Sequence, residues 1–166
     1  MASGDVVLYK DPSFGTPGSD TMQVASGTTA SIKAGELVLK ALGAAAVTVW
    51  TANNAAKPVV GTDYVAGLSA TDSTETASAA GTVEIIPLVP GQQFLISPNA
   101  PTSFDTQSEY NALVGDRVLL NTTAAGVQTI LASDSATSGL VIRDLDITKY
   151  PGKVAFSIRI GANWLA

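Results

Sequence analysis

Short apolar runs rich in Val, Ile, Leu and Thr recur through this chain, broken by Gly, Pro, Asn or Asp at intervals of roughly 8–12 residues. That spacing leaves little room for long helices. It predicts an all-β protein, an antiparallel β-barrel or sandwich of short strands. The clearest run is Lys153 to Ile160, where Val154, Phe156, Ile158 and Ile160 alternate with Ala155, Ser157 and Arg159, a period of two with one buried face. Further strands are predicted at 6–9, 47–51, 64–69, 82–89, 93–97, 117–121, 128–132 and 140–146. Residues 34–43 are ambiguous, because Glu36 to Leu42 would also make two helical turns; the flanking glycines and the shortness favour a strand. Gly67 suggests a bulge, and Pro87, lacking an amide donor, suggests an edge or the end of its strand.

One helix is expected. Thr106-Gln107-Ser108-Glu109 fits a capping box, and Gly115 stands where a left-handed cap is wanted, so the helix should cover about 107–114. Residues 70–80, small and polar, read as a long hairpin tip or mobile loop, and 53–58 as another loop. Residues 1–31 hold few large apolar groups and are dense in breakers after Tyr9. They read as an extended N-terminal arm, ahead of a β-barrel or sandwich domain at 32–166 with a sub-boundary near 98–105.

The 166 residues include no cysteine and no histidine, which removes disulfides, thiolate nucleophiles, Cys/His zinc sites and the Ser-His-Asp arrangement. Net charge is −5, and the nine basic residues form no run or aromatic-interleaved patch, so neither nucleic acid nor an anionic membrane is expected as a partner. Only 14% of residues are charged, which leaves a surface of Ser, Thr, Asn, Gly and Ala suited to contact with another protein. No apolar run reaches the length of a membrane helix, and MASGDVVLYK lacks the pattern of a secretory signal.

The motifs that might carry chemistry are few. Paired-carboxylate hydrolysis needs two acids converging in a cleft, and the scattered tryptophans and tyrosines do not suggest one. Asp144-Leu145-Asp146 places two carboxylates on one face of an expected strand. Two oxygens fall short of a calcium shell, and solvated or Lys/Arg-paired acids are the simpler reading. Phosphate-cradling glycine loops are absent. Asn121-Thr122-Thr123 matches a glycosylation acceptor but reads better as a β-turn; Trp50 and Trp164 read as core or subunit-interface residues. No catalytic residue, metal or cofactor is assigned.

Ala34-Gly35-Glu36-Leu37-Val38, the line Leu113 to Leu120, Ser138 to Asp146, and Pro151 to Ile160 stand out as segments that together resemble the tailed-phage capsid decoration (head cement or stabilisation) proteins. The resemblance covers most of the chain past residue 30 and rests on glycine and strand patterning. It implies a β-rich, non-catalytic virion protein on the outer surface of the expanded capsid, stabilising it by bridging subunits. The partners it implies are the major capsid protein and the chain itself, as a homo-oligomer, with a trimer favoured over a dimer. An N-terminal segment that grips the shell would match residues 1–30 by composition. Alternatives are another virion structural protein, such as a head fibre or tail component, an adhesive or carbohydrate-binding β-module, and, last, an enzyme.

Overall fold

The computed structural model of the chain describes residues 6–10, 18–27, 31–50, 63–123, 126–132 and 139–159. In chain order these hold β1 (Val7–Lys10), β2 (Asp20–Val24), β3 (Leu37–Ala41), β4 (Ala46–Val49), β5 (Asp63–Ser69), β6 (Gly81–Pro87) and β7 (Gln93–Ile96). A 3-10 turn (Pro101–Ser103) and the helix α1 (Gln107–Leu113) follow. The remaining strands are β8 (Arg117–Thr122), β9 (Gln128–Leu131), β10 (Leu140–Arg143) and β11 (Val154–Ile158). The protein is all-β, as the strand spacing predicts. The expected loop at 53–58, Ile160 at the end of the expected last strand, and Trp164 lie outside the described residues.

Two compact units divide the chain. One holds β2 to β6; the other holds β1 with everything described from Gly91 onward. The 1–31 segment thus supplies β1 to one unit and β2 to the other. Residues 98–105 lie inside the second unit, on the connection between β7 and α1.

In the first unit the strands close into a barrel in the order β2-β4-β3-β5-β6. Every pairing is antiparallel except β2 with β4. Val24, Ile32, Val38, Val47, Val49, Ala66, Val83 and Ile85 form its core. The bulge expected at Gly67 is present. The β3–β5 register slips between Val38↔Gly67 and Leu39↔Val65, and a Cβ on Gly67 would stand 2.2 Å from the Ile86 carbonyl oxygen. Pro87 ends its strand.

The 70–80 connection is not a free tip. Ser73 N donates to Ile32 O and Ser73 Oγ accepts from Ile32 N, both at 2.9 Å, while Asp72 Oδ1 accepts from Ala34 N at 2.9 Å. Thr74 N donates to Thr82 O at 3.0 Å. The small hydroxyl residues that read as a solvated loop are those that satisfy the backbone of a neighbouring segment.

The second unit is a six-stranded sheet in the order β1-β7-β11-β10-β8-β9. Just past β7 the chain returns to β9 through the parallel bridge Pro98↔Ile130. Ile130 N donates to Ser97 O at 3.1 Å and Asn99 N to Ile130 O at 2.7 Å. That bridge closes β7-β11-β10-β8-β9 into a ring, with β1 added outside it. The capping box forms as predicted: Thr106 Oγ1 accepts from Glu109 N, and Glu109 Oε2 accepts from Thr106 N. Tyr110, fully buried, is held by its hydroxyl, which donates to Arg143 O and accepts from Ala155 N, each at 2.8 Å.

The two rings follow one path. Number the five strands of each in chain order. Both run 1-3-2-4-5 around the ring, and in both the single parallel contact joins strands 1 and 3. The registers coincide: Met22↔Val83 matches Ile96↔Val154, Ser69↔Ile85 matches Ile142↔Phe156, and Leu37↔Leu68 matches Arg117↔Val141. So do the bonds that lead into strand 2. Gly35 N donates to Ser69 O and Ser69 N to Glu36 O. In the second ring Gly115 N donates to Ile142 O and Ile142 N to Asp116 O. Gly35 and Gly115 carry positive φ values of 82° and 96°. The recurring Gly-acid pair is the local sequence trace of this turn.

Candidate functional site

The structure distributes the acidic residues. Asp144-Leu145-Asp146 lies beyond the end of β10, which stops at Arg143, so the two carboxylates do not share a strand face as expected; Leu145 between them is buried. Asp146 is used locally. Its Oδ1 accepts from Thr148 N at 3.0 Å and Thr148 Oγ1 at 2.6 Å, and its Oδ2 lies 3.5 Å from Lys149 Nζ. The Thr148 hydroxyl bond is the main reason that its carboxyl is held below the usual aspartate range. Among the described residues no group of three or more His, Cys, Asp or Glu side chains gathers as a metal site would require.

A second acidic pair sits at the start of α1. The side-chain hydrogen bond between Asp105 and Glu109, and then the charge of Glu109, raises the Asp105 pKa. The Thr106 hydroxyl, first, and Asp105 hold Glu109 down. Asp105 stands on the wall of a hollow of about 190 Å³ lined mainly by Pro98, Pro101, Phe104, Ile147 and Pro151. That volume is below the roughly 300 Å³ at which ligand pockets begin. The walls offer apolar contact and one carboxyl, and no array of polar groups to orient a substrate.

Asn121 and Thr122 belong to β8 rather than to a turn; the turn begins at Thr123, whose amide donates to Val127 O at 2.9 Å. Asn121 Nδ2 donates to Asn99 Oδ1 at 2.8 Å, across the seam where the second ring closes. Trp50 is buried, its amide donating to Leu37 O at 2.9 Å. Among the described residues the exposed large apolar side chains are Leu42, Val89 and Val114.

The remaining chemistry is that of strand edges. β1 is a terminal strand of its sheet, and β2 is paired along its whole length on one side only. Such edges present main-chain donors and acceptors to another extended chain. β2 escaped the sequence reading because its neighbourhood is rich in breakers. The available signal was Thr21, Met22 and Val24 bounded by Gly18 and Gly27.

Fold and surface together define a protein of one closed five-stranded β-barrel and a six-stranded sheet whose last five strands are joined by one bridge into a ring of the same topology. Set beside known proteins, the chain matches no protein-family model, no curated protein and no solved structure.

Proposed function

We propose that this chain is a non-enzymatic virion protein. It docks on the outer surface of an expanded tailed-phage capsid and stabilises the shell by bridging major capsid subunits. The observation that supports the reading is the repeated ring topology. Two of the segments that resemble decoration proteins, Gly35-Glu36-Leu37-Val38 and Gly115-Asp116-Arg117-Val118, lead into strand 2 of the two rings with the same bonds. A scaffold repeated within a chain suits positions repeated over a lattice, where many weak contacts sum to firm attachment. A ligand that binds only the assembled shell stabilises it by mass action. The sparsely charged surface suits broad contact of this kind.

The test is co-sedimentation of the purified chain with undecorated expanded capsids and with unexpanded proheads. Saturable binding to expanded capsids supports the reading; no binding to either form by a folded protein overturns it. Because β2 closes a barrel, the gripping role of the N-terminal segment is tested by deleting residues 1–5, ahead of β1, and not 1–30. Sedimentation equilibrium of the free protein tests the homo-oligomer, with a trimer expected.

A further inference from the structure

The two rings differ at the edge of their first strands. In the second, β1 lies against β7 on the side away from β11, pairing Val7 with Leu95, Leu8 with Phe94 and Lys10 with Gln93. The shared register, with Met22 facing Val83 as Ile96 faces Val154, makes Ser19, Asp20 and Thr21 the same station in the first ring. There β6 pairs with all of Asp20 to Val24, but on the opposite side β4 reaches only Gln23 and Val24. Among the described residues no strand pairs with the outer side of Ser19, Asp20 and Thr21. All three are exposed.

We propose that this edge of β2 accepts an extended segment of a partner protein as an added strand, running antiparallel to β2 as β1 runs against β7. Main-chain hydrogen bonds supply the attachment and facing side chains the selectivity. β1 shows what the station holds: a short extended segment of about the length of Val7–Lys10. Asp20 sets the chemistry of the newcomer. Its counterpart Phe94 faces Leu8, so the residue arriving across from Asp20 is basic, since opposite charges directly across a strand pair attract. A charge on an open edge also turns away apolar strands that would otherwise aggregate there. The inference deepens the docking function above and takes from it the source of the segment, a capsid subunit.

The experiment uses the full chain, isotope-labelled for amide NMR, and two synthetic peptides with the sequence of residues 6–10, one carrying Leu8→Lys and the other Leu8→Glu. The lysine peptide is expected to shift the amides of Ser19 to Thr21 saturably, binding about two- to fivefold more tightly than the glutamate peptide. Asp20→Lys is expected to invert that preference. No saturable shift with either peptide, or shifts confined to β1, overturns the inference. Capsid sedimentation that persists while the peptides fail leaves docking in place and removes strand addition alone.

Discussion

The barrel of β2 to β6 and the ring of β7 to β11 reach the same topology with different interiors. The first is filled by Val, Ile and Ala. The second buries Phe94 and Phe156, with ring centres 5.5 Å apart, and adds Phe104 and Tyr110 from the α1 region, 5.9 Å apart. Position by position, Ile85 corresponds to Phe156, Ser69 to Ile142 and Gly67 to Leu140. In each ring the link between strands 1 and 2 inserts a fully buried residue, Ile32 or Tyr110, that is tied to the strand 4–5 region by hydrogen bonds, through the backbone of Ile32 and through the hydroxyl of Tyr110. Path and register are thus preserved by the turn before strand 2 and by strand pairing. The core volume is adjustable so long as each ring fills its own space.

The largest test of this comparison is in the two cores. Phe156→Ala should cost about 4 kcal/mol and Ile85→Ala about 3 kcal/mol, read by urea unfolding. A negligible loss at either site would mean that the matched positions do not both fill a core. Gly81, at the start of β6, and its counterpart Gly152, two residues ahead of β11, sharpen the point. A Cβ at Gly81 would stand 2.0 Å from Glu75 N, while at Gly152 nothing lies within 4 Å and only the positive φ of 68° objects. Gly81→Ala should therefore cost about 3 kcal/mol, and Gly152→Ala about 1 kcal/mol. Equal losses would break the claim that the 70–80 connection packs over strand 5 in one ring and leaves its counterpart open in the other.

Smaller effects are expected where side chains tie connections down. Tyr110→Phe leaves Ala155 N and Arg143 O without that hydroxyl and should cost about 2 kcal/mol. Ser73→Ala, which removes the analogous tie to Ile32, should cost about 1 kcal/mol. Hydrogen exchange at Ala155 and Ile32 would localise each loss.

The smallest expected effect is electrostatic and opposite in sign in the two rings. The Ala34 amide, and then Lys33, hold the Asp72 carboxyl below its ordinary 3.8. The unfolded chain therefore takes up that proton first. Asp72 contributes stability above pH 3.8 that is lost as pH falls through its lowered pKa. Glu109 raises Asp105, so Asp105 favours the folded state below pH 3.8 and loses that contribution as pH rises through its raised pKa. Carboxyl NMR titration should show Asp72 turning over below 3.8 and Asp105 above it. Matching midpoints would remove the contrast.

Much of the strand content was legible because β-branched runs between breakers act locally. β11, β8 and β6 lie where the alternation and turn residues place them, and the capping box with Gly115 located α1. β2 was not legible. Asp20, Thr21 and Gln23 are exposed and polar, and only pairing with β6 makes that stretch a strand. The 70–80 connection likewise gave no sign of being pinned, because its partners at 32–34 are distant in sequence. Asp144 and Asp146 were expected on one strand face, but β10 ends at Arg143, and Asp146 turns to the amide and hydroxyl of Thr148.

By itself the sequence determined the class of secondary structure, the glycine and proline breaks, the capped helix, and the lack of any thiol or imidazole chemistry. These depend on residue type and near neighbours. Only the tertiary structure decided that the strands close into two rings of one topology, which described residues of 1–31 join which unit, and that, among the described residues, no strand pairs with the outer side of Ser19 to Thr21. Ring closure depends on contacts such as Pro98↔Ile130 and Gln23↔Ala46, between residues far apart in sequence. Their pairing is fixed by burial and backbone hydrogen bonding across the whole ring, which no local pattern records.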